Sequence, residues 1–248
     1  LPNNNELVNN AHIVYAVSDK LCDCIEHKYG RRPKLLKNGV SYEYFDTSSE
    51  KYNEIANKIL LDLPQKNKVC YFGSIIGALN LDLIIEGSLR LPEHNFIFVG
   101  DIRYQNHTQY DKKVNQLLQC KNVYRVGPFD VEILPYILSK MDIFLILYNQ
   151  TNKIWTYYSS PAKLFEYMAI GKPIISTPHP FINEYKNCIN IVNNVNDFCN
   201  TINKITNNYL FFDYKNYQKK LAYKHLWSNK KEEIIIDIYN NYHDSLRK

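Results

Sequence analysis

The chain has 248 residues, 45% apolar and 22% charged, a balance that fits a packed globular protein of one or two domains and excludes bulk disorder or a collagen-like repeat. Lys and Arg total 30 against 25 Asp and Glu, so the formal net charge is only +5, too weak and too scattered to suggest a dedicated nucleic-acid binder. The mild positive balance suits an anionic small ligand or peripheral contact with an acidic membrane face.

Strand-like and helix-like segments alternate along the chain. His12–Val17 reads as a strand, Asp19–Tyr29 as a helix closed by Gly30, and Lys34–Lys37 as a short strand before the Asn38-Gly39 turn. Glu50–Leu61 has helical spacing, Val69–Phe72 is a buried strand ending at Gly73, and Leu79–Leu91 is helical. Phe96–Val99, ending at Gly100, is a strand, Asp111–Leu118 a helix, and Val123–Val126, ending at Gly127, a strand. Val131–Ser139 is helical, Ile143–Tyr148 a strand, Ala162–Ile170 a helix closed by Gly171, and Pro173–Ser176 a strand. The rest reads as a strand over Ile189–Val192, a helix over Val195–Thr206, and a largely helical end including Trp227 and Lys231–Leu246. Continuous apolar strands alternating with amphipathic helices predict an α/β fold, a Rossmann-like parallel sheet with helices on both faces. Ligands in such sheets bind at the carboxyl ends of strands. Glycines 73, 100 and 127 fall there, either as tight turns or as places where a ligand reaches the backbone.

No segment has the roughly 18–20 apolar residues needed to span a bilayer. No basic segment followed by an apolar core marks a secretion signal. The six cysteines, at 22, 24, 70, 120, 188 and 199, lack zinc or redox spacing and read as inert thiols of a reducing, cytoplasmic compartment. No Walker A or Gly-x-Gly-x-x-Gly motif is present. With no initiator Met before Leu1, the chain reads as a piece of a longer protein.

The segment richest in chemistry is Ser159-Ser160-Pro161-Ala162-Lys163-Leu164-Phe165-Glu166-Tyr167-Met168-Ala169-Ile170-Gly171-Lys172-Pro173. Ser160 suits a helix N-cap and Pro161 the first helical position. The third position, where Glu or Gln would close a capping box, holds Lys163. A cation there opposes the helix dipole, at a cost of about 0.3–1 kcal/mol. A compensating anion would remove that conflict, since free N–H groups, a positive dipole end and an ammonium together make a phosphate site. Glu166 lies on the same helical face and can accept two hydroxyl hydrogens, as from a ribose diol. The competing reading is a plain surface ion pair between Lys163 and Glu166. His179, between two prolines, reads as a solvated loop residue, and Asp142 as a strand cap.

This segment closely resembles the donor-binding motif of GT-B fold, family-4-like glycosyltransferases of bacterial surface-polysaccharide pathways. Weaker matches follow in the same order: Ala16-Val17-Ser18, Lys37-Asn38-Gly39-Val40 with Phe45, Tyr71-Phe72-Gly73-Ser74, Phe98-Val99-Gly100-Asp101, and Asn122-Val123 through Gly127. The resemblance implies the C-terminal, donor-binding half of such an enzyme. Residues 1–40 would be a remnant of the N-terminal acceptor domain with its linker. Residues 41–226 would form the nucleotide-sugar-binding domain, and 227–248 a helix crossing back to the N-terminal domain.

It also implies a metal-independent enzyme without cofactor, moving a sugar from a nucleotide-diphosphate donor of UDP or GDP type to a saccharide or lipid-linked acceptor. Lys163 and the N–H groups near Leu164 would meet the diphosphate, Glu166 the ribose, Gly127, Pro128 and Phe129 the base, and Gly73 and Ser74 the phosphate side. Where relatives carry a first glutamate this chain has Tyr158, which would offer a hydroxyl or an aromatic face. Ser74–Ala78 carries no charge where relatives often place Arg and Lys, leaving Lys163 the main diphosphate cation, helped by Arg103. The catalytic base is expected in the missing N-terminal half or a partner chain. Without that half, the apolar face of Ile234, Ile235, Ile238 and Tyr239 must pack elsewhere or stay exposed. The resemblance implies a cytoplasmic enzyme, peripheral to the inner membrane. Two other functions share the fold: a non-catalytic module that assembles with a partner chain, and a nucleotide-sugar epimerase.

Overall fold

The computed structural model describes residues 5–106, 108–149, 153–207 and 214–246. The front of the chain forms α1 (Asn5–Asn10), β1 (Tyr15–Ala16), α2 (Asp19–Tyr29) and β2 (Lys34–Leu35), with β1 and β2 paired in parallel. The Ser18 hydroxyl opens α2 by accepting the Leu21 N–H, and Gly30 closes it at φ 71°. The predicted strand over His12–Val17 shrinks to two residues. The Arg31 guanidinium draws the carbonyls of Ala11 and His12 to itself, at 2.5 and 2.8 Å, and away from a ladder. A 3₁₀ turn over Tyr42–Tyr44 leads into α3 (Glu50–Ile59).

The main sheet contains β3 (Lys68–Phe72), β4 (Asn95–Val99), β5 (Val123–Val126), β6 (Ile143–Ile146), β7 (Ile174–Ser176) and β8 (Asn190–Ile191). Its connections carry α4 (Leu81–Arg90), α5 (Gln109–Leu118), α6 (Leu134–Ser139), α7 (Lys153–Tyr158), α8 (Lys163–Ile170) and α9 (Pro180–Asn183), and α10 (Val195–Thr206) follows β8. The chain closes with α11 (Tyr214–Tyr223) and α12 (Trp227–Leu246). The strand order is β5-β4-β3-β6-β7-β8, every ladder parallel. Consecutive side chains alternate faces. Val69 and Tyr71, Phe96 and Phe98, Ile143 and Leu145 enter one core with α4, α5 and α10. Cys70, Ile97, Val99, Phe144 and Ile146 enter the other, under α6 and α8. This is the doubly covered sheet that the apolar runs predict. Asp142 caps as expected, its carboxylate accepting the Lys68 N–H at 2.8 Å and aligning β6 with β3.

The order reverses between β3 and β6: the chain leaves β3 outward on one side and β6 outward on the other. A crevice at their carboxyl ends is the ligand place of this fold. Val40 pairs with the segment before α12, its N–H donating to the His225 carbonyl and its carbonyl accepting from Trp227. Asp237 of α12 accepts from Tyr15 and Lys34 at 2.8 and 2.5 Å, tying α12 to the front sheet. Its other face stays exposed, Ile235, Ile236 and Ile238 each more than half accessible. Among the described residues no helix is long and apolar enough to cross a membrane, and the six cysteines are free, all buried except the half-buried Cys24.

Candidate functional site

The site starts at the end of β3. Gly73 leaves the strand at φ 119°, a conformation L side chains rarely adopt, and the Tyr71 hydroxyl donates to the Ser74 carbonyl at 3.1 Å, fixing the turn. A Cβ on Gly73 would stand 3.0 Å from Lys163 Nζ, so the bare glycine makes room for the ammonium.

Helix α8 is set against this turn by Tyr167. Its ring stacks on Phe144 of β6 with centroids 4.1 Å apart, and its hydroxyl accepts the Phe72 N–H at 2.8 Å. Lys163, one turn earlier, therefore reaches Gly73. The opening of α8 differs from the predicted one. The first turn starts tightly, Leu164 N–H donating to the Pro161 carbonyl and Phe165 N–H to that of Ala162, both at 3.1 Å. The regular helix begins at Lys163 with Ala162 as its cap residue, not Ser160. The Ser160 hydroxyl is buried with no partner. Its backbone carbonyl is instead held by Asn38 Nδ2 at 2.6 Å, which withholds the residue from the cap position. The Leu164 N–H is thus already engaged, and the N–H groups of Ala162 and Lys163 remain at the tip.

Lys163 Nζ lies 3.9 Å from the Tyr71 ring centroid and 6.0 Å from that of Tyr148. No carboxylate comes within 4.0 Å of it among the described residues, so the surface ion pair with Glu166 does not form. Burial lowers its pKa, with only partial relief from Tyr148, Glu166 and Cys70. The result is an enclosed ammonium resting on aromatic faces at the switch point. Burial raises the Glu166 carboxyl to about 7, against the pull of Lys163 and a hydrogen bond from the Tyr44 hydroxyl. Glu166 lines a hollow of about 310 Å³ with Tyr44, Glu43, Val131, Glu132 and Pro135. The arrangement can hold an anion at Lys163 and hydroxyl donors at Glu166.

Around the rim, Gly127 sits at φ 83° before a cis peptide to exposed Pro128, and Phe129 packs half-buried on the core. Ser74 is half-buried, and Arg103 is exposed on the neighbouring loop, its N–H donating to the Ile75 carbonyl at 3.1 Å. Tyr158 is half-buried, and the neighbouring Cys24 thiol of α2 raises the pKa of its phenol. His179 is not solvated as predicted. It is 1% exposed, caps α9 through Nδ1 and lies 3.1 Å from the Ser159 hydroxyl through Nε2. Sequence reasoning missed Tyr44, Tyr71, Tyr148 and Tyr167. Tyr71 and Tyr167 carried a signal, a phenol inside an otherwise apolar strand and inside a buried helix, where a hydroxyl needs a partner. Among the described residues no three His, Cys, Asp or Glu side chains cluster as a metal-ligating group.

A family model described as glycosyl transferases group 1 matches residues 66–208. The chain is 29% identical over 145 residues to TuaH of Bacillus subtilis, whose name assigns it to teichuronic acid biosynthesis as a glycosyltransferase; the match covers 58% of this chain and 34% of TuaH. The fold matches HepE of Anabaena, solved with UDP and glucose, at a TM-score of 0.73 and 16% identity, covering 94% of this chain and 64% of HepE. It also matches the C-terminal domain of the group 1 glycosyl transferase LpcC of Francisella tularensis, at a TM-score of 0.55 and 16% identity, covering 75% of this chain and 97% of that domain. The chain thus spans about a third of TuaH and just under two thirds of HepE.

Proposed function

The chain belongs to the group 1 glycosyltransferases, with the fold of the C-terminal half of a GT-B enzyme, and from that premise we propose that it is the donor-binding part of an enzyme of surface-polysaccharide synthesis. It transfers a sugar from a nucleotide-diphosphate sugar to an acceptor hydroxyl. The observation that carries this is Lys163: an enclosed ammonium without a carboxylate, at a helix tip, over the strand-order reversal. As the glycosidic bond breaks, negative charge grows on the leaving diphosphate. Lys163 and the N–H groups of Ala162 and Lys163 stabilise that charge from fixed positions. Gly73, lacking a side chain, lets the phosphates approach, with Ser74 beside it. Glu166 accepts the ribose hydroxyls, and Gly127, Pro128 and Phe129 border the base. The longer relatives have room for a second wall of the cleft, and the reading assigns the acceptor pocket and the catalytic base to that wall, with the exposed face of α12 turned toward it.

Calorimetry with UDP, GDP, CDP and ADP tests the reading. Heat is expected with at least one, and Lys163→Ala weakens that binding about 100-fold, the upper range for hydrogen bonds to charged groups. No heat from any of the four at millimolar nucleotide overturns it.

A further inference from the structure

Three consecutive residues ahead of α8 are each held by a different part of the chain. The Ser18 hydroxyl donates to the Tyr158 carbonyl at 2.8 Å, and Asn38 Nδ2 to the Ser160 carbonyl at 2.6 Å. Between them, Ser159 Oγ lies 3.1 Å from His179 Nε2. The direction of that hydrogen bond follows from the other ring nitrogen. His179 Nδ1 accepts the Phe181 N–H at 3.2 Å, and a nitrogen that accepts carries no proton. Burial holds the imidazole pKa down to about 4, so the ring is neutral at pH 7 and its one proton sits on Nε2. Nε2–H therefore donates to Ser159 Oγ, the reverse of a base activating a nucleophile. The serine's own proton is turned away from the ring. Ser159 is half-buried, lies four residues before Lys163, and has no acceptor for that proton among the described residues. A hydroxyl whose oxygen is already engaged and whose proton is left without an acceptor is a prepared single donor.

We propose that Ser159 is a further ligand of the donor substrate, its hydroxyl donating to an oxygen of the sugar-diphosphate group that Lys163 attracts, with His179 as the positioning residue behind it. The inference rests on the nucleotide-sugar reading of the site. The recognised chemistry is an oxygen acceptor, on a phosphate or on a sugar hydroxyl.

The test is calorimetry of the whole chain with UDP, GDP, UDP-glucose and GDP-mannose, comparing the parent protein with Ser159→Ala, His179→Asn and the double variant. Asn keeps an oxygen that can accept the Phe181 N–H, being a good N-cap, but has nothing where Nε2–H stands. Ser159→Ala weakens binding about tenfold, and His179→Asn about threefold. The double variant binds no more weakly than Ser159→Ala, because His179 acts through Ser159. A loss already seen with UDP or GDP puts the contact on the diphosphate; a loss confined to the nucleotide sugars puts it on the sugar. Equal affinity of parent and Ser159→Ala for every ligand that binds overturns the inference and leaves the donor-site reading standing. A double variant clearly weaker than Ser159→Ala removes His179 from its role. A parent protein that binds none of the four overturns the donor-site reading and this inference together. Should His179→Asn fail to fold, Ser159→Ala alone decides.

Discussion

Among the described residues, hollows lie at both ends of the parallel sheet, and one at the end without the chemistry is larger than the one at Glu166. At the amino end, a hollow of about 570 Å³ is lined by Gln65, Lys66, Asn67, Glu93, His94 and Asn203. At the carboxyl end, the hollow at Glu166 is only about 310 Å³. The smaller one lies beside an enclosed cation, the tip of α8 and a raised carboxyl; the larger is lined mostly by exposed polar side chains, with the buried His94 among them. Volume alone therefore does not mark the site. The asymmetry of a parallel sheet does, because every helix that follows a strand presents its N-terminus to the carboxyl end.

The largest expected effect breaks one end and spares the other. Lys163→Met is expected to reduce nucleotide-diphosphate affinity about 100-fold while raising the melting temperature, since it removes an enclosed charge without a counter-ion. Glu93→Gln in the larger hollow is expected to leave nucleotide affinity unchanged. Equal losses from the two substitutions, measured by calorimetry, would erase the distinction between the ends.

Next comes the joint that sets the height of α8. Tyr167→Phe leaves the buried Phe72 N–H without an acceptor, at a cost of about 1–3 kcal/mol. Urea unfolding should show the lower midpoint, and nucleotide affinity should fall with it because the Lys163 tip is no longer anchored at the end of β3. An unchanged midpoint would mean that the Phe144 stack alone places the helix.

Much of this frame is readable from the chain because it depends on local pattern. Val69–Phe72, Phe96–Val99 and Ile143–Ile146 are runs apolar on both faces, which only a covered sheet accommodates. The serine-proline-lysine start of α8 and Glu166 one turn on were likewise visible, as was the missing charge in Ser74–Ala78. What stayed hidden is decided across the chain. Ser160 is not a cap because Asn38, 122 residues earlier, holds its carbonyl. His179 is buried because Ser159 and the start of α9 both use its ring. The short helices Lys153–Tyr158 and Pro180–Asn183 span too few residues for a periodic signal, and the strand order becomes legible only when the crossovers are traced in space.

A smaller effect separates the cation from the carboxyl within the site itself. Glu166 ionises at about 7, and hydroxyl donors favour its charged form. The ratio of parent to Glu166→Gln nucleotide affinity should therefore rise about fivefold between pH 6 and pH 8, a ratio from which the nucleotide's own titration cancels. Stability runs the other way. A carboxyl raised in the folded state favours folding fully below its ordinary value of 4.5, and that contribution is lost as pH rises through 7. Glu166→Gln should thus raise the melting temperature more at pH 8 than at pH 5. A flat affinity ratio would remove Glu166 from the ligand.

The smallest effect belongs to the amino end. His94 is 3% exposed and neither ring nitrogen has a hydrogen-bond partner, the Glu93 carboxylate standing 3.7 Å from Nδ1. Burial lowers its pKa, only partly offset by Glu93 and Asp142 and reinforced by Lys66. A histidine depressed in the folded state stabilises fully above its ordinary value of 6.5, and the contribution is lost as pH falls, because the unfolded chain takes up the proton first. His94→Leu removes two unpartnered nitrogens from the interior and should raise the melting temperature at pH 7 by about 2–4 °C. It should also reduce the loss of stability between pH 6.5 and 5. His179 and His225, both held near 4 by burial, keep part of that acid sensitivity, so the slope diminishes without vanishing. Nucleotide affinity should not move, because the sheet separates His94 from Lys163 by the full length of β3. A leucine variant that loses stability instead would show that the His94 ring has a partner in the larger hollow, and would make that end of the sheet a site in its own right.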